Sequence, residues 1–364
     1  MNKRPRILLT IPNFDRAGSG KVVYDLLKGL DKQKFDLEIA CRHDRGSFFK
    51  EVEALGCRIH LFDTTTPYRP YWNLFSRIKR IRDFFRANQY DIVHSWQWSS
   101  DWTEALAARW AGVKWIYTKK AMSWGNIHWK IKSRLASFII NINDEMQGYY
   151  PQKRAQALIP LGIDTEYYKR AKPLSKNADT SEFKVVMVAN LVPVKGAEVL
   201  IRAIKALDDS SIKLKILGNK ENEYGRRLEQ QVDDLEMNHQ VEFLGKRPDI
   251  RPYVEGADLY VIPTLDMGRK EGMPMSLVEA MSMGVPIIGS DISGINFVLK
   301  QFPDLLVKAG DVQALSKKIA YMKALSAESR QAIGESLREF CVNNFRLAYF
   351  IRAHEDLYIK LYRS

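Results

Sequence analysis

Short β-rich runs alternate with amphipathic stretches along almost the whole chain, and this rhythm constrains the fold more than any other feature. In the first half the runs fall at 6–11, 36–41, 58–62, 91–96, 114–118, 138–143 and 157–161. Helical patterns lie between them, near 20–30, 47–55, 72–87, 101–111, 126–136 and 144–149. Strands alternating with helices imply βαβ units and a parallel sheet covered on both faces. The polar stretch "KRAKPLSKNADTSEF" (169–183) has no periodicity and reads as a linker. The alternation then restarts, with runs at 184–190, 213–218, 241–245, 258–263, 286–290 and 305–309. Helical stretches near 311–323, 327–343 and 345–362 close the chain. The expected fold is α/β, two doubly wound Rossmann-like domains facing a cleft. Ligands of such sheets bind beyond the carboxyl ends of the strands.

Composition narrows the partners. The chain carries a formal charge of +13, unevenly placed: residues 1–170 hold 29 of the 56 Lys and Arg but only 17 of the 43 Asp and Glu. A basic first half fits nucleic acid, an anionic membrane surface or an anionic small substrate. No apolar run approaches the ~20 residues needed to span a bilayer. The start "MNKRPRILLTIPNF" reads as a first strand and not as a signal peptide. Cys41, Cys57 and Cys341 are scattered and form no CxxC pair, which favours a reducing cytosol over a disulfide frame or structural zinc.

Three stretches carry candidate chemistry. "GSGKVVYDLLKGL" (18–30) follows the first strand and opens a helix, so Gly18, Ser19 and Gly20 form either an ordinary βα turn or an approach for an anion. "ANLVPVKGAEVLIRAIKAL" (189–207) repeats that layout, with Lys195 at the mouth of a helix as a surface lysine or a phosphate ligand. In "KEGMPMSLVEAMSMGVPIIGSD" (270–291), Glu271 precedes a helix beginning near Pro274-Met275, and Glu279 lies about a turn inside it. The neighbours Leu277, Val278, Ala280 and Met281 are apolar on all sides. A helix apolar all round is buried, and a carboxylate within it needs a partner.

The last stretch resembles the Glu-x7-Glu signature of retaining glycosyltransferases of the GT-B architecture, family four. The resemblance extends over nearly the whole chain: the early Gly loop, "DIVHSW", "IPLGIDTEYY", "VPVKG", "ILGN", "VEFLG", "GADLYVIPT" and the A-M-x-x-G-x-P-I-I run all stand in family order. It implies an acceptor-binding domain over 1–170, a nucleotide-sugar-binding domain over 171–345, and a final helix over 346–364 crossing back to the first.

By position, the resemblance implies that Lys195 neutralises the donor diphosphate. The stretch Gly272, Met273, Pro274, Met275 and Ser276 would supply helix N–H groups to the same phosphates, from every position but the proline. Glu271 would hold sugar hydroxyls and Glu279 the ribose. Gly18 to Gly20 would close from the other domain, and Lys246 and Arg247 lie where the family holds the base. Asn190 stands where the family usually has Arg, with Arg269 and Lys270 as the nearest substitutes. Lys119 and Lys120 lie in "YTKKAMSWGN", where the family often carries a His, and Leu161 replaces an Asn. There is no Asp-x-Asp motif, so no bound metal is required.

Two further features have two readings each. In "HSWQWSSDW" (94–102), Trp96, Trp98 and Trp102 sit at a strand end and either meet an acceptor or pack, and His94 reads as a satisfied strand-end histidine. "RIKRIRDFFRANQ" (77–89) is a basic amphipathic helix with Ile78, Ile81 and Phe85 on one face. It is either a solvated covering helix or a face for anionic lipid.

The expected function is metal-independent transfer, with retention, from a UDP- or GDP-sugar to a saccharide or lipid-linked acceptor. It would take place in the cytoplasm or at the inner face of the membrane, with no cofactor and no nucleic acid partner. The alternatives are a silent nucleotide-sugar-binding protein and a sugar-nucleotide epimerase of the same architecture.

Overall fold

The computed structural model describes residues 3–15, 17–170, 182–268 and 271–364. Most of the expected linker, together with Arg269 and Lys270, lies outside them. The chain divides into two compact units, one of residues 1–162 and 347–364, the other of 163–346. The first unit therefore ends ahead of the polar stretch in which the sequence suggests a boundary.

In the first unit the strands are β1 (Arg6–Thr10), β2 (Asp36–Cys41), β3 (Arg58–Leu61), β4 (Ile92–Ser95), β5 (Lys114–Lys119), β6 (Phe138–Asn141) and β7 (Gln156–Leu158). Between them run α1 (Ala17–Gly29), α2 (Ser47–Glu53), α3 (Leu74–Ala87), α4 (Thr103–Ala111) and α5 (Ile127–Leu135). The sheet is parallel, in the order β3-β2-β1-β4-β5-β6-β7. The order reverses between β1 and β4, the switch point of a doubly wound sheet. Strands buried on both faces read as near-continuous apolar runs. β1, "RILLT", and β6, "FIIN", are buried along nearly their full length.

The second unit repeats the plan. Its strands are β8 (Phe183–Val188), β9 (Ile212–Leu217), β10 (Val241–Gly245), β11 (Leu259–Ile262), β12 (Ile287–Ser290) and β13 (Leu306–Val307). Its helices are α6 (Ala197–Lys205), α7 (Glu223–Asp234), α8 (Arg251–Glu255), α9 (Met275–Ser282), α10 (Ser293–Val298), α11 (Val312–Ala324) and α12 (Ala327–Phe345). The sheet order is β10-β9-β8-β11-β12-β13, again parallel, with the reversal between β8 and β11.

The last helix, α13 (Leu347–Arg363), completes the core of the first unit. Tyr358 is fully buried, and its hydroxyl lies 2.6 Å from His94 Nδ1. The His94 and His354 rings stack at 5.5 Å, and Glu355 accepts the Asp31 N–H at 3.0 Å. The other nitrogen of His94 meets Thr118 Oγ1 at 2.8 Å. Burial holds the His94 imidazole well below its ordinary range, so it is a neutral core group, as its strand-end position suggests. Trp96 is equally buried, against His94, Phe350 and His354, which removes it from any role at an acceptor. Glu104 fills the space beside β4 and accepts hydrogen bonds from Thr64 (2.6 Å), Ser95 and Trp115 (3.2 Å), and burial pushes its carboxyl up.

Among the described residues no helix is long and apolar enough to cross a membrane, and no cluster of three His, Cys, Asp or Glu could hold a metal ion. All three cysteines are free.

Candidate functional site

At the reversal of the second sheet, the ends of β8 and β11 bring two separate loops together. After β8 the chain passes Asn190, which is exposed, and turns through a short 3-10 helix, Pro193–Lys195, into α6. Gly196 closes that turn at φ +68°. A Cβ there would come within 2.1 Å of the Pro263 carbonyl oxygen, so only glycine lets the loop after β11 lie so close. The Leu265 N–H donates to the Val194 carbonyl at 2.8 Å and fixes the two loops to each other.

This approach aims two charges at one another. Lys195 Nζ lies 2.5 Å from Glu271 Oε1. The lysine side chain is only 11% exposed and the glutamate 44%, so the cation is the sequestered partner and the carboxylate faces water. A nearly buried ammonium requires a counter-charge, and Glu271 supplies it.

Glu271 leads through Gly272, Met273 and Pro274, all buried, to the start of α9 at Met275. Pro274 stands at the helix cap with extended backbone, one position before the helix proper. The Ser276 hydroxyl donates to the Val188 carbonyl at 3.1 Å and ties the first turn of α9 to the end of β8. The first N–H groups of a helix have no partners within it and carry its positive dipole end. Lys195 and this helix start thus form a basic lip above the sheet reversal.

Two residues of the site are not evident from the sequence. Tyr260 of β11 is fully buried with its hydroxyl 3.4 Å from the Val188 carbonyl. Burial, with the charges of Glu279 and Glu271 added, holds its phenol well above the ordinary range. Glu279 is only half-buried, less than the apolar neighbours in its helix suggest. The second is Gly294 in α10. A Cβ there would lie 2.2 Å from the Glu271 carbonyl oxygen, so α10 braces the backbone that carries Glu271. The only sequence signal is a glycine in a first helical turn after a strand.

The remaining predicted positions belong to other segments of the chain. Arg247 follows the edge strand β10, is exposed, and has its guanidinium 5.9 Å from the centre of the Tyr253 ring; Lys246 beside it is also exposed. Gly18, Ser19 and Gly20 form the first turn of α1 in the first unit. A Cβ on Gly18 would meet open space, whereas one on Gly20 would lie 3.3 Å from the Phe14 ring. Lys119 is buried, with Nζ donating to the Ser123 carbonyl at 2.5 Å and lying 3.6 Å from the centre of the Trp129 ring. Lys120 donates to the Trp96 carbonyl at 2.6 Å.

Two family models match the chain: Glycosyltransferase Family 4 over residues 16–167 and Glycosyl transferases group 1 over 169–340. A UDP-Gal:alpha-D-GlcNAc-diphosphoundecaprenol alpha-1,3-galactosyltransferase of Escherichia coli is 23% identical over 95% of this chain and 94% of its own length. The amylovoran biosynthesis glycosyltransferase AmsK of Erwinia amylovora is 31% identical over 43% of this chain and 39% of its own. Several curated relatives are matched over about half their length or less. Among solved structures, a glycosyltransferase from Rickettsia africae superposes with a TM-score of 0.84 at 16% identity, covering 98% of each chain. HepE of Anabaena in complex with UDP superposes with a TM-score of 0.81 at 18% identity, covering 98% of this chain and 100% of its own.

Proposed function

The chain is a glycosyltransferase of the group 1, family 4 type with the GT-B architecture, and from that premise we propose that it transfers a sugar from a nucleotide-diphosphate sugar with retention and without a metal. The observation that carries this reading is the Lys195–Glu271 pair at the start of α9. Departure of the nucleotide leaves growing negative charge on the diphosphate. A preorganised cation and helix N–H groups stabilise that charge most where water is excluded. Lys195 and the N–H groups of Gly272 to Ser276, except Pro274, which has none, are the groups we assign to that task.

In this reading the pair is a resting arrangement. An arriving diphosphate takes over the ammonium, and Glu271 is released to accept hydrogen bonds from sugar hydroxyls. Glu279 holds the ribose, and Arg247 stands beside the base. We assign the Gly18–Gly20 turn to the phosphates or sugar, and the acceptor to the unit that contains it. Asn190 leaves the diphosphate one guanidinium short of the family pattern, and the proposed substitutes Arg269 and Lys270 lie outside the described residues. UDP is the first nucleotide to try, because it occupies the HepE structure. The name of the Escherichia coli relative points to a diphospholipid-linked acceptor, reached at the inner face of the membrane.

The test is turnover of a panel of UDP- and GDP-sugars by the purified protein, with and without EDTA, and the anomeric form of the product read by NMR. Donor turnover that survives EDTA and yields the donor's own anomer supports the reading. Loss of turnover in EDTA overturns metal independence, an inverted product overturns retention, and no turnover with any donor favours the silent binding protein.

Gly294→Ala should lower turnover by about tenfold to a hundredfold, because the added methyl displaces the Glu271 backbone and small misplacements at a reacting centre are costly. Initial rates, with a thermal melt as a folding control, measure the effect. An unchanged rate would mean that α10 does not position Glu271.

A further inference from the structure

Three large aromatic side chains stand in water at the start of α3: Tyr71, Trp72 and Phe75 are 65, 85 and 70% exposed. Such a cluster is unusual, because folding normally covers aromatic surface and contiguous exposed apolar patches mark interaction sites. The segment that carries them is held firmly. Tyr68 stacks on Trp102 at 5.3 Å and on His128 at 4.9 Å. Arg77 donates to the carbonyls of Arg69 (3.1 Å) and Pro70 (2.8 Å), and the Thr66 N–H donates to Thr103 Oγ1 at 3.1 Å. The aromatics are thus presented outward from a fixed base, at the carboxyl-end side of β3, β4 and β5.

Cations surround them. Residues 69–87 contain six Lys or Arg and a single acid, Asp83. Arg69, Lys79, Arg80 and Arg86 are exposed. The apolar face of α3, with Leu74, Ile78, Ile81 and Phe85, is buried in the first unit and cannot serve lipid. That excludes the simple amphipathic-helix docking that the sequence allows. What remains uncovered is the aromatic tip with cations above it; Lys79 pairs with Asp83 at 3.2 Å, an exposed pair whose lysine a lipid phosphate can take over.

We propose that Tyr71, Trp72 and Phe75 insert into the interface of an anionic lipid membrane while Lys79, Arg80 and Arg69 meet the lipid phosphates. Trp and Tyr favour the boundary between headgroups and acyl chains, and basic side chains near an anionic surface are attracted to it. Phe75 and Lys79 are one helical turn apart, about 6 Å along the axis. With α3 tilted N-terminus down, that spacing suits an aromatic buried roughly 5–10 Å into the boundary beneath a cation at the headgroups. The charge complementarity selects an anionic bilayer over a neutral one. The surface stands independently of the transfer reaction.

The experiment is co-sedimentation of the full chain with vesicles of phosphatidylcholine alone and of phosphatidylcholine mixed with phosphatidylglycerol. The wild type should bind the mixed vesicles and not the neutral ones. Trp72→Ser with Phe75→Ser should weaken that binding about tenfold or more, and Lys79→Ser with Arg80→Ser should weaken it and reduce its salt dependence. All four positions are exposed, and circular dichroism checks that each variant folds. Equal binding of the wild type to both vesicle types, or undiminished binding of the Trp72→Ser, Phe75→Ser variant, overturns the proposal. So does a dimer in sedimentation velocity that this variant converts to monomer, because the patch would then seat a second copy of the chain.

Discussion

Replacing Lys195 by alanine should lower turnover by about 10²–10³ while the protein folds as before. The factor is the cost of removing one preorganised donor from a site where charge grows in the transition state. The expectation about folding comes from the exposure of the two partners. Glu271 is 44% exposed, so without Lys195 its carboxylate is solvated and no buried charge is stranded. Steady-state rates on the donor identified by the panel, with a melting curve beside them, check both halves. Turnover within a few-fold of the wild type would remove Lys195 from the chemistry.

Replacing Glu271 by alanine should abolish transfer, and here the fold should not be spared entirely. A loop carboxylate, judged from the sequence, has no structural duty. The structure gives it one: Lys195, with 11% of its side chain exposed, relies on it. Removing the exposed partner strands the sheltered one, at about 1–3 kcal/mol for an unsatisfied buried group. The ligand-free Glu271→Ala variant should therefore melt earlier than Lys195→Ala. Added nucleoside diphosphate should narrow the gap, since a phosphate offers the ammonium another partner. Normal turnover in the folded variant would refute the assignment of Glu271, and equal melting of the two variants would refute the resting pair.

The architecture was legible because β-rich runs alternate with helical patterns along the chain, and the runs "DLEIAC" and "VEFLG" coincide with β2 and β10 residue for residue. Other strands differ at the ends by a residue or a few, as for β13, where hydrogen bonding stops at Leu306–Val307. Glu271 and Lys195 could be named from sequence spacing, but their pairing with each other could not. It depends on how closely the loops after β8 and β11 approach, which Gly196 permits. Tyr260 and Gly294 were hidden because a strand tyrosine and a helix glycine look ordinary until their neighbours are known. Exposure misled in both directions: Trp96 is core, while Trp72, inside a helical pattern, faces water.

The placement of α13 has a consequence for the order in which the molecule assembles. Residues 163–346 are continuous and hold their whole core within one stretch. The first unit begins earlier but keeps a hole at His94 until Tyr358, 264 positions later, is available. During synthesis the later unit can reach its native state first, while the earlier one waits with a parallel sheet lacking one covering helix. Long-range closure of this kind is slow and leaves apolar surface open in the interval. The final helix is thus the step that makes the first unit safe from aggregation, and a nascent chain stalled before it would be the species that chaperones hold.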